Sequence, residues 1–158
     1  MLIAFEKMTS EEFEVYREKL IETYTQDNIK SGKYDAETAL ENSRKEVYTI
    51  LQNGLHTEGH ELLRIVDRSN GEKVGYLWIN DLRSKRRSKV FIYDLIIFEE
   101  FRGKGYGKAS LNALEQFVRE LGVMSISLHV FAHNEVALAL YKSLGYTITN
   151  INMTKTFE

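Results

Sequence analysis

The 158-residue chain contains no cysteine and no proline. Without a thiol it has no cysteine nucleophile, no thiolate metal site and no disulfide framework. Without proline, its turns rest on Gly, Asn, Asp and Ser. Charge of one sign is also lacking. Twenty-one Lys and Arg stand against 23 Asp and Glu, a net charge of -2, so no overall field draws the chain to nucleic acid. No apolar run approaches the roughly 20 residues of a membrane helix. The start, Met1-Leu2-Ile3-Ala4-Phe5-Glu6-Lys7, meets an acid too early for a signal peptide. The expectation is a cytoplasmic protein that engages neither membrane nor nucleic acid. The four histidines, His56, His60, His129 and His133, show no metal-ligand spacing, so no metal is expected. Hydrophobic residues make up 43% of the chain, which suffices for one core and one domain over residues 1–158.

The stretch that organises the rest is Phe101-Arg102-Gly103-Lys104-Gly105-Tyr106-Gly107-Lys108-Ala109. A strand-like run, Val90 to Phe98, precedes it, and a helix-like run, Ser110 to Leu121, follows. Glycine lets a backbone turn tightly and approach a ligand closely. The following helix offers unpaired N–H groups and a positive dipole end, so the loop suits an anion such as phosphate. Two known phosphate motifs fail on spacing. The P-loop needs Ser or Thr after Gly-Lys and a Gly five residues before that Gly, but Ala109 and Arg102 occupy those places. The dinucleotide fingerprint G-x-G-x-x-G, counted from Gly105, ends on Ser110.

Around this stretch the chain reads as alternating elements. Leu2 to Lys7 is a short strand. Thr9 and Glu12 form a capping box for a helix bearing Phe13, Tyr16, Leu20 and Tyr24 at helical spacing and stopping near Gly32. Asp35 caps a second helix with Leu40, Val47 and Leu51 on one face, ended by Gly54. Glu61–Asp67 and Lys73–Leu82 form a hairpin about Asn70-Gly71. A basic loop, Arg83 to Ser88, reads as a solvated hairpin end. Lys89 to Phe98 is almost continuously apolar, as a strand covered on both faces should be. Asp94 alone breaks it, and a charge there must be paired or face a cleft. Leu111, Leu114, Val118 and Leu121 mark the helix after the glycine loop, and Met124–Phe131 the next strand. Asn134 caps a helix with Val136, Leu140 and Leu144 on its apolar face, and Tyr146 to Phe157 returns as one or two strands.

Strand, glycine loop, helix and strand form a right-handed crossover, so these two strands lie parallel. The expected architecture is α/β: a mixed, mostly antiparallel sheet with helices on both faces.

The run Arg102-Gly103-Lys104-Gly105-Tyr106-Gly107 resembles the (Arg/Gln)-x-x-Gly-x-(Gly/Ala) signature of the GNAT N-acetyltransferases. The spaced set Asn134, Ala137, Leu140, Tyr141, Gly145 and Tyr146 matches that family's second half. Phe131-Ala132-His133-Asn134 and Met153-Thr154-Lys155 are similar to its small YycN-type bacterial branch. The resemblance implies six to seven strands, with the central parallel pair splayed. It implies acetyl-CoA as cosubstrate, its pyrophosphate taking N–H groups from Gly103, Lys104, Gly105, Tyr106, Gly107 and Lys108, beside Arg102. The main chain of Leu95, Ile96 and Ile97 would line the pantetheine arm, with the Ile97 N–H facing the oxyanion. Asn134 would hold the pantetheine amide, and Tyr141 would protonate the departing thiolate.

The implied reaction is direct acetyl transfer to a primary amine on a small molecule or peptide. An amine of pKa about 10 is free in roughly one part per thousand at neutral pH, a deficit near 4 kcal/mol. A base is needed, and Asp94 is the first candidate. Glu99, Glu100, His129 and His133 are further ones. A non-catalytic acyl-CoA-binding or sensing protein is the alternative that keeps the glycine loop without needing Tyr141. The acceptor stays open, as does a homodimer.

Overall fold

The computed structural model describes residues 1–80 and 88–157. The basic loop from Arg83 and the end of the predicted strand at Leu82 lie outside the described residues, apart from Ser88. Strands β1 (Ile3–Lys7), β2 (His60–Asp67), β3 (Glu72–Asn80), β4 (Lys89–Ile97) and β5 (Ser125–Leu128) form one sheet in sequence order. The pairs β1·β2, β2·β3 and β3·β4 are antiparallel, and β4·β5 is parallel. Helices α1 (Ser10–Lys30) and α2 (Ala39–Ile50) lie on one face, and α3 (Tyr106–Glu120) and α4 (Glu135–Ser143) on the other.

The alternation of the strands explains the two cores. On β3, Leu77 and Ile79 join the core under α3, while Tyr76 and Trp78 turn to the core under α1 and α2, as a two-residue period requires. The α1 side buries Phe13, Tyr16, Ile21, Val47 and Leu51; the α3 side buries Leu111, Leu114 and Val118. The capping box at Thr9 and Glu12 is present in both directions. Glu12 is also held by Lys73 and Arg64. Burial would raise its pKa, but Lys73, the Thr9 N–H and Arg64 outweigh that and lower it to about 2.

Several expectations need correction. Among the described residues the sheet has five strands rather than six to seven, because Tyr146 to Phe157 pairs with none of them. Helix α3 starts at Tyr106, four residues before the expected Ser110, because Gly105 at φ 87° serves as its N-cap. Strand β5 ends at Leu128 rather than Phe131, where its pairing with β4 stops. Asp35 does not cap α2 directly. Its carboxylate accepts from the Thr38 N–H and hydroxyl, closing a turn before the helix. Leu40, Leu121 and Val136 are exposed. The buried stripe of α2 is Ala39, Ser43 and Val47 instead, with Ser43 accepting a hydrogen bond from Asn28 at 2.9 Å.

Buried Asp67 ties distant parts together. It accepts from the Leu2 N–H (2.9 Å), from the Ser69 N–H and hydroxyl, and from the Tyr106 hydroxyl (3.1 Å). These donors hold its carboxyl well below the usual range, Ser69 most of all.

Gly75 is required where β3 meets β4. A Cβ on it would lie 2.1 Å from the Ile96 carbonyl oxygen, which no flexible side chain can relieve. Gly75→Ala should therefore push the end of β4 outward and cost about 2 kcal/mol or more. Urea unfolding of the variant beside the parent chain measures it.

Candidate functional site

The site begins with one extra residue in β4. Trp78 is opposite Asp94, but the next residue of β3, Ile79, is opposite Ile92. Tyr93 is therefore bulged, and a bulge reverses which face later residues present. Before it, Val90 and Ile92 point to the α3 core; after it, Leu95 and Ile97 do. Asp94 is thereby turned away from that core and toward α1. The bulge lies just past the last β4–β5 pair, Ile92 with Leu128. From there β4 runs on to Ile97 with no strand on its outer side among the described residues.

The peptide groups of that stretch have defined directions. The Phe98 N–H donates to the Val74 carbonyl at 2.9 Å, and the Ile96 carbonyl points at Gly75. Both therefore face β3. By alternation, Leu95 and Ile97 direct their peptide groups into the gap. The Ile97 carbonyl accepts from Arg102 Nε at 3.0 Å, so the Arg102 side chain fixes the end of β4, and the Ile97 N–H stays open.

The glycine loop closes the same end. Gly103 and Gly105 have φ of 71° and 87°, a region only glycine enters cheaply. Among the described residues, the N–H groups of Gly103, Lys104, Gly105, Tyr106, Gly107 and Lys108 have no acceptor in the chain. The first such bond is Ala109 N–H to the Gly105 carbonyl, 3.0 Å. Six consecutive free donors at a helix start form a cradle for an anion. Tyr106 offers this cradle its N–H alone, since its ring is buried against Phe101 and its hydroxyl bonds Asp67. Lys104 lies over the Phe101 ring, and Lys108 is exposed. Gly107 packs on Leu140 of α4; a Cβ there would come within 3.2 Å of it.

Helix α4 carries Asn134 and Tyr141. The Asn134 side chain caps the helix by accepting from the Ala137 N–H at 3.3 Å, which leaves its amide N–H groups free. Tyr141 lies seven residues on, about 10 Å along the axis. Its ring packs beside Tyr146, and its hydroxyl makes no hydrogen bond within the described residues. Desolvation, the Asp94 charge and Tyr146 push its pKa up to about 12, so the phenol keeps its proton at neutral pH. That Asp94 acts on it places the two predicted catalytic residues within electrostatic reach of each other.

Asp94 is held by α1. The Tyr16 hydroxyl donates to its Oδ2 at 2.7 Å. Desolvation raises the Asp94 pKa to about 6; the Tyr16 bond and the Leu95 N–H oppose the rise, and the nearby Asp27 charge adds to it. Tyr16 itself is raised well above its ordinary value by burial and by Asp94. Asp27, also on α1, lies 2.7 Å from His133 Nε2, and His133 stacks on Phe131. Tyr24 closes on the same Phe131 ring. Of the other candidate bases, Glu99 and Glu100 are exposed in a turn after β4, and His129 is exposed with its ring against Phe131. Among the described residues, no group of acids and histidines is arranged to hold a metal, and no helix is long and apolar enough to cross a membrane.

Tyr16, Asp27, Gly75 and Tyr93 were not singled out as site residues from the sequence. Tyr16 read as one apolar position on a helix face. The signal available was Asp94 itself, a charge in phase with Val90 and Ile92, which requires either a slip of the strand or a polar partner.

This is the architecture of an acetyltransferase fold. The acetyltransferase (GNAT) family profile matches residues 15–146, and the chain belongs to that family. Relatives include the uncharacterised N-acetyltransferases YdgE and YycN of Bacillus subtilis (strain 168). YdgE is 37% identical over 155 residues, 98% of each chain. YycN is 36% identical over 155 residues, 98% of this chain and 99% of its own. The crystal structure of YycN superimposes with a TM-score of 0.91 at 35% identity, covering 99% of both chains. The PaiA N-acetyltransferase of Thermoplasma acidophilum, solved in complex with coenzyme A, shares the fold at a TM-score of 0.61 and 19% identity, over 96% of this chain and 94% of that one.

The Tyr16 hydrogen bond favours the ionised form of Asp94, so its removal favours the proton. Tyr16→Phe should move the Asp94 midpoint upward from about 6. A carboxyl-carbon NMR titration reads the shift directly.

Proposed function

We propose that the protein transfers the acetyl group of acetyl-CoA directly to a primary amine. The reading rests on one convergence. The free N–H run of Gly103–Lys108, the open Ile97 N–H, the Tyr141 phenol and the Asp94 carboxylate all belong to the end of the sheet where β4 and β5 part. The chain offers an anion cradle, an unpaired strand edge for an amide-bearing arm, and a proton donor and acceptor beside it. Those are the groups that acetyl-CoA needs, and coenzyme A is what the PaiA structure holds.

In this reading the loop N–H groups bind the pyrophosphate, and the Asn134 amide and the Leu95 peptide orient the pantetheine. Acetyl-CoA supplies a thioester already activated for attack. The Ile97 N–H donates to the acyl oxygen as negative charge builds there, an interaction commonly worth about 3 kcal/mol. Asp94, with a pKa of about 6, is mostly ionised at pH 7 and takes the proton from the incoming ammonium. Tyr141 first donates a hydrogen bond to sulfur. A thiolate of pKa about 8.5 cannot strip a phenol of pKa about 12 unaided, a gap near 5 kcal/mol. The positive charge on the attacking nitrogen lowers that gap: as the C–S bond breaks, the proton passes from Tyr141 to sulfur, the nitrogen's surplus proton returns to Tyr141, and neutral amide and free thiol leave while Asp94 releases its proton to water.

The acceptor is a cation before it reacts. Asp27 and Asp94 supply negative charge that attracts an ammonium group. This side is contributed by α1 and by β4.

The test is thiol release from acetyl-CoA with a panel of mono- and polyamines. Turnover with at least one amine is expected, rising with pH along a limb near 6. Asp94→Asn should abolish that limb. Tyr141→Phe should lower kcat about 100-fold while leaving KM for acetyl-CoA within about twofold. Tight coenzyme binding without turnover on any amine would instead mark an acyl-CoA-binding protein.

A further inference from the structure

The C-terminal arm has the composition of a strand and no strand to lie beside. Helix α4 ends in a Schellman arrangement, with Gly145 at φ 90°. The Gly145 N–H donates to Lys142 O (3.1 Å) and the Tyr146 N–H to Tyr141 O (3.0 Å). Such a cap fixes the direction in which the chain leaves the helix. Beyond it, among the described residues, no backbone hydrogen bond joins residues 147–157 to the protein. Thr147, Ile148, Thr149, Ile151, Thr154 and Thr156 are β-branched, and no glycine or proline interrupts them; this is strand composition. The arm also exposes large apolar side chains: Ile148 by 53%, Ile151 by 72%, Met153 by 91% and Phe157 by 81%. Apolar surface gathered on one segment marks a surface meant for covering.

The sheet has a matching vacancy in its hydrogen bonding. Strand β5 is paired with β4 on one side only. Edge strands are ordinarily guarded by charge, proline or a bulge. The other edge, β1, carries Glu6 and Lys7, with Glu6 bound to Arg64 and Arg68. Strand β5 reads Ser-Ile-Ser-Leu and has no such guard. Met124, 82% exposed, adds an apolar side chain where this edge begins.

We propose that two copies of this chain exchange their C-terminal arms, each arm pairing with the β5 edge of the other copy. A two-fold arrangement satisfies both needs twice and closes on itself. Eleven extended residues reach about 36 Å, enough to leave one molecule and lie along β5 and residues 129–131 of another. Residues 129–131 continue β5 past its last pair with β4, beside the gap described above. The partner's arm would thus back one wall of the site. The competing arrangement, the arm folded onto its own β5, is not the one adopted here, since among the described residues no backbone hydrogen bond joins the two. The inference concerns assembly alone and stands apart from the transferase reading.

Light scattering of the full chain should give a particle of twice its 18.4 kDa mass. A chain ending at Tyr146 should give a single-chain mass. Because the sequence has no cysteine, single-cysteine variants report the pairing cleanly. Ser125→Cys and Asn150→Cys chains, unfolded and refolded together, then treated with a short bismaleimide, should yield linked pairs at least fivefold above either variant alone. A single-chain mass for the full protein at about 100 μM would overturn the proposal. So would linkage within one chain of the double variant with none between mixed chains.

Discussion

Everything at the candidate site depends on the extra residue in β4. A regular strand would have sent the Asp94 carboxylate into the apolar core beneath α3, together with Val90 and Ile92. Burying a charge there unpaired costs several kcal/mol. The bulge at Tyr93 avoids that cost by reversing the alternation, and the same irregularity falls where β5 stops following β4. One insertion therefore does two things: it delivers the acid to Tyr16, and it leaves the peptide groups of Leu95 and Ile97 without a strand partner. Gly75 is the complement on β3, where the backbones come too close for any side chain. The exposed Tyr93 ring is not wasted; it stacks on Trp78 at 4.6 Å between centroids.

The electrostatics follow from that placement. Desolvation pushes Asp94 up toward neutrality, and Tyr16 holds it in the useful range. Asp27, sharing His133, works in the opposite direction from Tyr16 by adding a second negative charge nearby. Tyr141 feels the same carboxylate and keeps its proton. The surroundings raise both groups, Asp94 to about 6 and Tyr141 to about 12, so the ordinary gap between carboxyl and phenol is kept while the acid is brought close to neutrality, where it can accept a proton.

Much of this was legible in the sequence, and the limits have physical causes. The Thr9–Glu12 box, the glycine loop and the spacing of Asn134 and Tyr141 are local patterns, fixed by backbone chemistry within a few residues. The parallel crossover followed from handedness. The bulge was hidden because every neighbour of Asp94 is apolar, so no polar alternation marked the slip. The uses of Arg102 and Tyr106 were hidden because both side chains turn away from the loop that names them, one to the Ile97 carbonyl and one to Asp67. The last segment had correct strand composition, but a strand needs a neighbour, and composition does not say which molecule provides it.

Asp67 carries a consequence for how the protein comes apart. Its four hydrogen bonds reach residue 2, residue 69 and residue 106, so the base of the glycine loop is assembled from three remote pieces of chain. Loops built on such non-local contacts are late to form and early to loosen. The anion cradle should then be a sensitive gauge of the whole fold: fraying of the first strand or of the Asn70-Gly71 turn reaches it through one carboxylate, before the sheet itself melts.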